Sequence, residues 1–505
     1  MTKAIQVCGT GSGVGKSVIV TALCRLFLQD GFRVCPFKAQ NMSLNSFVTK
    51  DREEMGRAQV TQAQACCLEP RADMNPILIK PTGDTASQII VQGRPIGNMT
   101  AREYQNKKTK AGLFKKVKES FNRLKKEYEL IIIEGAGSPV EINLKKHDIV
   151  NMRMASFANA PVILAGDIDK GGVFASLVGT LELLEEKERK LIRGFIINKF
   201  RGDRRLLRDG LDFLEEKTGI PVIGVIPYFK DIRIPEEDSV VLENRVKSLE
   251  SRGKTKEKIK IAVIKLPHIS NFTDFDALEN EADVNLSYIN NKDELDSPDV
   301  IILPGTKNTI KDLLWLKESG IAKQILRTMD YGLWTVLIGI CGGYQMLGEK
   351  IYDAKKIESD NREVDGLGVL PLITNFKKAK ALSQVKAEEI DSGHRVSGYE
   401  IHHGRTKCLK KLQPLFKIIE REGKCIDEPD GIASADRRIM ATYIHGVFDK
   451  PGYRRSFLNR IRIRKGLAPS SEGLRFNLDK EFDKLADLVR RNIDIKLLYK
   501  ILNCK

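Results

Sequence analysis

Two short stretches carry residue types whose spacing can do chemistry. The first is Gly9-Thr10-Gly11-Ser12-Gly13-Val14-Gly15-Lys16-Ser17. An apolar run at residues 4–7 precedes it, and Val18, Ile19, Ala22, Leu23, Leu26 and Phe27 follow at helical spacing. Strand, glycine-rich turn and helix start together make a phosphate cradle. The backbone from Thr10 through Gly11, Gly13, Val14 and Gly15 wraps the phosphates of a nucleotide. Lys16 reaches the outer phosphates and the Ser17 hydroxyl can hold Mg²⁺. The strict pattern asks for glycine where Thr10 stands, so this is a variant phosphate loop. The second stretch is Gly339-Ile340-Cys341-Gly342-Gly343-Tyr344-Gln345, at the end of the apolar run 336–340. A cysteine at a strand tip, followed by two glycines and a helix start, has the form of a nucleophile elbow. The turn exposes the sulfur, and the N–H groups of Gly342 and Gly305 are expected to face an oxyanion. His445, after the apolar run 441–444, is the candidate general base, with His402 and His403 as rivals.

Each stretch needs a scaffold to hold it. From residue 1 to about 235, apolar runs at 4–7, 33–37, 131–133, 162–165, 195–197 and 222–226 alternate with amphipathic stretches. Continuously apolar strands separated by helices predict a parallel sheet covered on both faces, with ligands at the strands' carboxyl ends. Glu134 stands at one such end, placed to share Mg²⁺ with Ser17. Asn198-Lys199 stands at another and is expected to read a nucleobase. Lys38 opens a donor-rich run in which Gln40, Asn41, Ser43 and Asn45 are candidate substrate contacts. Arg57 and Gln59, with Gln62 three residues on, are expected on one helix facing the same ligand. The lysine-rich stretch 107–126 reads as a solvated helical face.

Residues 236–258 are charged and without apolar period, and read as the connection between domains. A second α/β pattern begins at Ile259 and carries the cysteine elbow. The domain expectation is therefore 1–235, a linker at 236–258, and 259–505, with 454–505 a basic amphipathic terminal element.

The chain has 84 Lys+Arg against 67 Asp+Glu, a net charge of +17 that favours anionic partners without choosing among them. Nine cysteines lack C-x-x-C or zinc spacing, which fits a reducing compartment. Met1-Thr2-Lys3 runs straight into the first strand, and no apolar run approaches a membrane span. The expectation is a soluble, cytoplasmic protein.

Taken together, the motifs resemble one family. The variant loop, Glu134-Gly135-Ala136-Gly137 and the lysine after the second strand resemble the dethiobiotin-synthetase-like fold. The elbow with His445 resembles class I glutamine amidotransferases. Both in one chain resemble the cobyrinic acid amidating enzymes, within which the cobyric acid synthase family matches over nearly the whole length. Residues 38–46, 56–65, 74–80, 167–174, 266–276 and 397–405 carry that likeness. One departure stands out. Many class I glutaminases place glutamate two residues after the histidine, and Val447 occupies that position here, leaving open what orients His445.

The resemblance implies two α/β domains and an ATP- and glutamine-dependent ligase. Its substrate is (adenosyl)cobyrinic acid a,c-diamide, amidated at the b, d, e and g carboxylates. ATP with Mg²⁺ makes acyl phosphates, and a Cys341–His445 glutaminase releases ammonia. Corrinoid and glutamine are the implied partners, without nucleic acid or membrane and with a homo-oligomer allowed. The a,c-diamide-forming relatives are the nearest alternative. A partitioning-type ATPase is remote, because its signature lysine would replace Gly11 and it needs neither Cys341 nor His445.

Overall fold

The computed structural model describes residues 2–82, 86–235, 258–331, 334–359, 361–471 and 477–503. All of the expected linker except residue 258 lies outside the described residues. The chain forms two compact units. One comprises Met1–Ser43, Glu54–Glu237 and Asn477–Lys505, and the other Leu44–Glu53 and Asp238–Phe476.

The first unit is built on a six-stranded sheet. Its order is Val222–Pro227, Ile192–Phe200, Val162–Asp167, Lys3–Gly9, Leu130–Glu134 and Val34–Phe37. Every pairing is parallel. These strands are apolar along their length because helices cover both faces, and Leu130–Glu134 is buried from end to end. Parallel register brings Val7 opposite Glu134 and Asp167 opposite Asn198, so the polar strand ends collect at one edge. The helix Lys16–Gln29 turns Ile19, Leu23, Leu26 and Phe27 into the core beside Ile5 and Val7.

Two segments depart from the expected boundaries. Residues 477–503 pack with the first unit, not with the domain expected at 259–505. The helix Leu478–Asn492 buries Phe482, Leu485 and Val489 against the Lys16–Gln29 helix. Arg25 fixes this docking with Asp483 at 2.7 Å and Asp479 at 3.2 Å. The basic reading of this terminal element overlooked those two aspartates. Conversely, Leu44–Glu53 belongs to the second unit, because Val48 packs with Tyr399 and Ile401 in an apolar cluster that Phe47 joins. The helix Lys107–Glu127 also differs in part from its expected solvated face. Lys110 is buried, its ammonium 4.1 Å from the Tyr104 ring centroid and 3.3 Å from Gln40 Oε1. Burial pushes Lys110 down to about 8, with Asp148 opposing.

The second unit has its own sheet, ordered Val284–Ile289, Ile259–Ile264, Val300–Leu303, Val336–Ile340, Ile439–Thr442 and Ile432–Ala433. Its pairings are parallel except the last. A further sheet is mostly antiparallel and is dominated by the long pair Leu372–Glu389 and Arg395–Cys408. Among the described residues the cysteines are unpaired, and no helix is long and apolar enough to cross a membrane.

Candidate active site

The phosphate loop leaves the Lys3–Gly9 strand with Thr10 still in sheet register, its N–H bonded to Ala165 O at 3.0 Å. Thr10 needs no positive φ, which is why the loop tolerates a non-glycine there. Gly15 cannot be replaced so easily. Its φ is +94°, and a Cβ would lie 2.2 Å from the Asn198 amide nitrogen. Lys16 lies back across the loop, its ammonium 2.8 Å from Gly11 O and 3.1 Å from Gly137 O.

Glu134 is the hub of this edge. It is fully buried, as the last residue of an apolar strand must be. Its Oε1 accepts from Ser17 Oγ and Lys38 Nζ, both at 2.8 Å. Its Oε2 accepts from Gln62 Nε2 at 2.5 Å and Gln59 Nε2 at 3.5 Å. Asn41 Nδ2 in turn donates to Gln59 Oε1 at 2.9 Å. A buried carboxylate persists only with charge and hydrogen bonds of this kind around it. Lys38 therefore neutralises Glu134, and Gln59 braces it. Gln62 does the same, although only its spacing had marked it.

This edge can hold a divalent cation. Ser17 Oγ and Glu134 Oε1 present two hard oxygens, and the Lys38 ammonium already shows that a cation is stable beside them. Among the described residues there is no cluster of three or more His, Cys, Asp or Glu suited to a metal. The phosphates would have to complete the coordination.

Other expected contacts are engaged locally. Gln40 Oε1 accepts from Tyr104 OH at 2.5 Å, and Ser43 is buried with its N–H on Ile79 O. Arg57 opens the helix Arg57–Ala65 and is half-buried. Asn198, expected to read a base, donates its amide to Val14 O at 2.8 Å and braces the loop. Its neighbour Lys199 spans Gly13 O at 2.6 Å and Asp167 at 2.7 Å. Asn45 falls in the second unit, where its Oδ1 accepts from Phe272 N–H at 3.2 Å.

In the second unit the Val336–Ile340 strand ends at Cys341, which has φ +51° and ψ −102°. A β-carbon-bearing residue held there stores strain, as nucleophile elbows do. Parallel pairing of Ile340 with Thr442 brings the His445 strand alongside. The Cys341 thiol is buried and donates to Ile401 O at 3.7 Å, and Cys341 is among the groups that raise the proton affinity of His445. Gly305 presses on the same ring, since a Cβ there would come 2.8 Å from His445 Cε1. Gly342 N–H opens the helix Gly342–Met346 beside Thr306, whose hydroxyl is tied to the buried carboxylate of Asp312 at 2.5 Å.

The group that orients His445 is Asp274. Its Oδ2 lies 2.6 Å from His445 Nδ1, and its Oδ1 accepts from Gly446 N–H at 3.0 Å. Burial disfavours charge on the ring, but Asp274, followed by Cys341, outweighs it and pushes His445 up to about 10. Sequence reading passed over Asp274 although it lies within a stretch already marked. A carboxylate between Phe272 and Phe275, both buried, must have a partner inside the fold. The rival histidines are occupied elsewhere. His402 stacks on Tyr443 with Nδ1 2.7 Å from Gly404 O, and His403 Nδ1 lies 3.0 Å from Lys377 O.

Residues 5–241 match the CobQ/CobB/MinD/ParA nucleotide binding domain, and residues 260–453 the CobB/CobQ-like glutamine amidotransferase domain. A cobyric acid synthase of Clostridium botulinum is 50% identical over 99% of both chains. One from Dehalococcoides mccartyi is 50% identical over 100% of this chain and 99% of its own. A third, from Clostridium tetani, is 50% identical over 99% of this chain and 98% of its own.

Proposed function

Because this chain belongs to the cobyric acid synthase family, we propose that it amidates the b, d, e and g carboxylates of (adenosyl)cobyrinic acid a,c-diamide with ATP and glutamine. The observation that supports this reading is that one chain carries two chemically different clusters of side chains. One is the Lys16–Ser17–Glu134 edge, and the other is Cys341–His445–Asp274.

A carboxylate is a poor electrophile, so ATP first converts it to an acyl phosphate. Lys16 and the loop N–H groups hold the phosphates and offset the charge that develops on them. Mg²⁺, held by Ser17 and Glu134, would add further charge neutralisation. Lys38, Asn41 and Gln59 belong to the Glu134 cluster, and on this reading they, with Gln40, Ser43 and Arg57, meet the corrinoid's amides and carboxylates. In the second unit Cys341 Sγ gives its proton to His445 Nε2 and bonds to the glutamine side-chain carbon. The N–H groups of Gly342 and Gly305 receive the oxyanion. The C–N bond then breaks, ammonia leaves with the proton from Nε2, and water clears the thioester with His445 as base. Ammonia attacks the acyl carbon, the bond to the phosphate oxygen breaks, inorganic phosphate leaves, and loss of a proton gives the amide.

The test uses glutamine labelled with ¹⁵N at its amide. Wild-type protein should place four labels in the product made from the a,c-diamide. Cys341→Ala should place none, yet still deliver four amides from free ammonium and ATP. Two labels starting from the unamidated acid, with none on the diamide, would favour the a,c-diamide-forming relatives.

A further inference from the structure

The stretch from Asn45 to Phe47 follows directly on the candidate substrate run at residues 38–43, yet its partners lie around the glutaminase histidine. Ser46 N–H donates to Asn271 Oδ1 at 3.1 Å, and Phe272 N–H donates to Asn45 Oδ1 at 3.2 Å. Tyr399 OH donates to Ser46 O at 3.1 Å, and Phe47 packs edge-on against the Tyr399 ring at 5.2 Å. Tyr399 stacks on His445 with centroids 5.3 Å apart, and the two exchange backbone hydrogen bonds at 3.2 and 2.9 Å. On the other side Asn271 Nδ2 lies 3.4 Å from His445 Nε2. Asn271 itself sits at φ +54°, a conformation asparagine tolerates better than most residues but still at a cost.

We propose that residues 45–47 of the chain are part of the glutaminase site, acting through Asn271 and Tyr399 as positioning residues for His445. The reasoning starts at Ser46, whose backbone N–H can only donate. It fixes the carbonyl oxygen of the Asn271 amide toward itself, so the amide nitrogen faces His445. Asp274 takes the Nδ1–H of the ring. Whenever the ring is neutral its Nε2 lone pair meets the Asn271 N–H, which is the tautomer able to accept a thiol proton. Once Nε2 carries that proton it faces a second donor, which favours passing the proton on to the departing ammonia. The titratable groups against the ring are Asp274, Cys341 and Tyr399. This inference rests on the glutaminase reading above.

The test is made on the full chain with Asn271→Asp and Asn45→Ala, with Cys341→Ala alongside. Asn271→Asp keeps the acceptor for Ser46 N–H but turns an anionic oxygen toward Nε2. It should hold Nε2 protonated, lower glutamine-driven kcat by about tenfold or more with little change in glutamine KM, and move the acidic limb of the pH profile upward. Asn45→Ala should lower the same kcat by a smaller factor and leave the corrinoid KM unchanged. Amidation from free ammonium reports whether each variant is folded. If Asn271→Asp does not fold, Asn45→Ala decides alone. A wild-type kcat and pH profile in Asn271→Asp, or a raised corrinoid KM with both nitrogen sources in Asn45→Ala, would overturn the proposal. Glutamine hydrolysis surviving in Cys341→Ala would instead overturn the glutaminase reading.

Discussion

Each unit ends an apolar region with a buried carboxylate, and the two are used in opposite ways. Glu134 shares its two oxygens among Ser17, Lys38, Gln59 and Gln62, so four side chains converge on one charge. Asp274 spends one oxygen on His445 Nδ1 and the other on Gly446 N–H, so one charge serves one ring. A hub spreads its energy over many bonds and can lose one donor while the rest stay. A dedicated partner fixes one tautomer and has nothing in reserve. The phosphate edge should therefore degrade in steps, and the glutaminase all at once.

The largest expected effect is Lys16→Ala. Because phosphate activation precedes nitrogen attack, amidation should fall on the order of 10²-fold or more with both glutamine and free ammonium. Product from ammonium at the wild-type rate would remove the loop from the mechanism. Next is Asp274→Asn, which should cost glutamine-driven turnover roughly 10²-fold while leaving ammonium-driven turnover intact. The sign of its pH effect follows from the geometry. Asp274 raises His445, so the ring's contribution to stability and charge is complete below its ordinary value near 6.5 and is lost as pH rises through about 10. Removing Asp274 brings that loss to lower pH. An alkaline fall in stability that stayed in place would show that Asp274 does not govern the histidine.

Gln62→Ala probes the hub, and its effect should be several-fold, not total. Lys38 and Ser17 remain on Glu134, so the expected result is a raised Mg²⁺ requirement with folded protein. A loss as deep as that of Lys16→Ala would mean that the hub has no redundancy and would collapse the contrast. The smallest effect concerns Asp430, whose carboxyl is pushed up to about 7 by burial. Folding then gains from protonation, so stability should fall as pH climbs through 7. Asp430→Asn should flatten that fall in Tm by a few degrees, at roughly 2–4 °C per kcal/mol. A pH-independent Tm in the unaltered protein would refute the assignment.

What could be read from the sequence follows the same contrast. The phosphate loop, the strand ending at Glu134 and the cysteine elbow are local patterns, since the turn chemistry and the strand before it are contiguous. The parallel sheets followed from runs such as 131–133 and 222–226. Lys38 and Gln59 were read as substrate contacts and not as partners of Glu134, since spacing within a segment says nothing about which strand it meets. Asp274 was invisible for a further reason. It lies 171 positions from His445, and the pair exists only through the fold of the second unit. The partnership of Asn45 with Phe272 was not legible either, because a donor-rich run looks the same whether it faces a substrate or a neighbouring loop.

The helix Leu478–Asn492 has a bearing on how the protein is made. It completes the apolar core under the phosphate-loop helix through Phe482, Leu485 and Val489, and Arg25 waits for Asp479 and Asp483. On a ribosome these partners emerge only after the whole glutaminase unit has been synthesised, on the order of half a minute to a minute and a half after the helix they cover. Through that interval the face around Leu26 and Phe27 stands open to water and to chaperones. The glutaminase unit is thus free to fold first, and the unit that starts the chain is the one finished last.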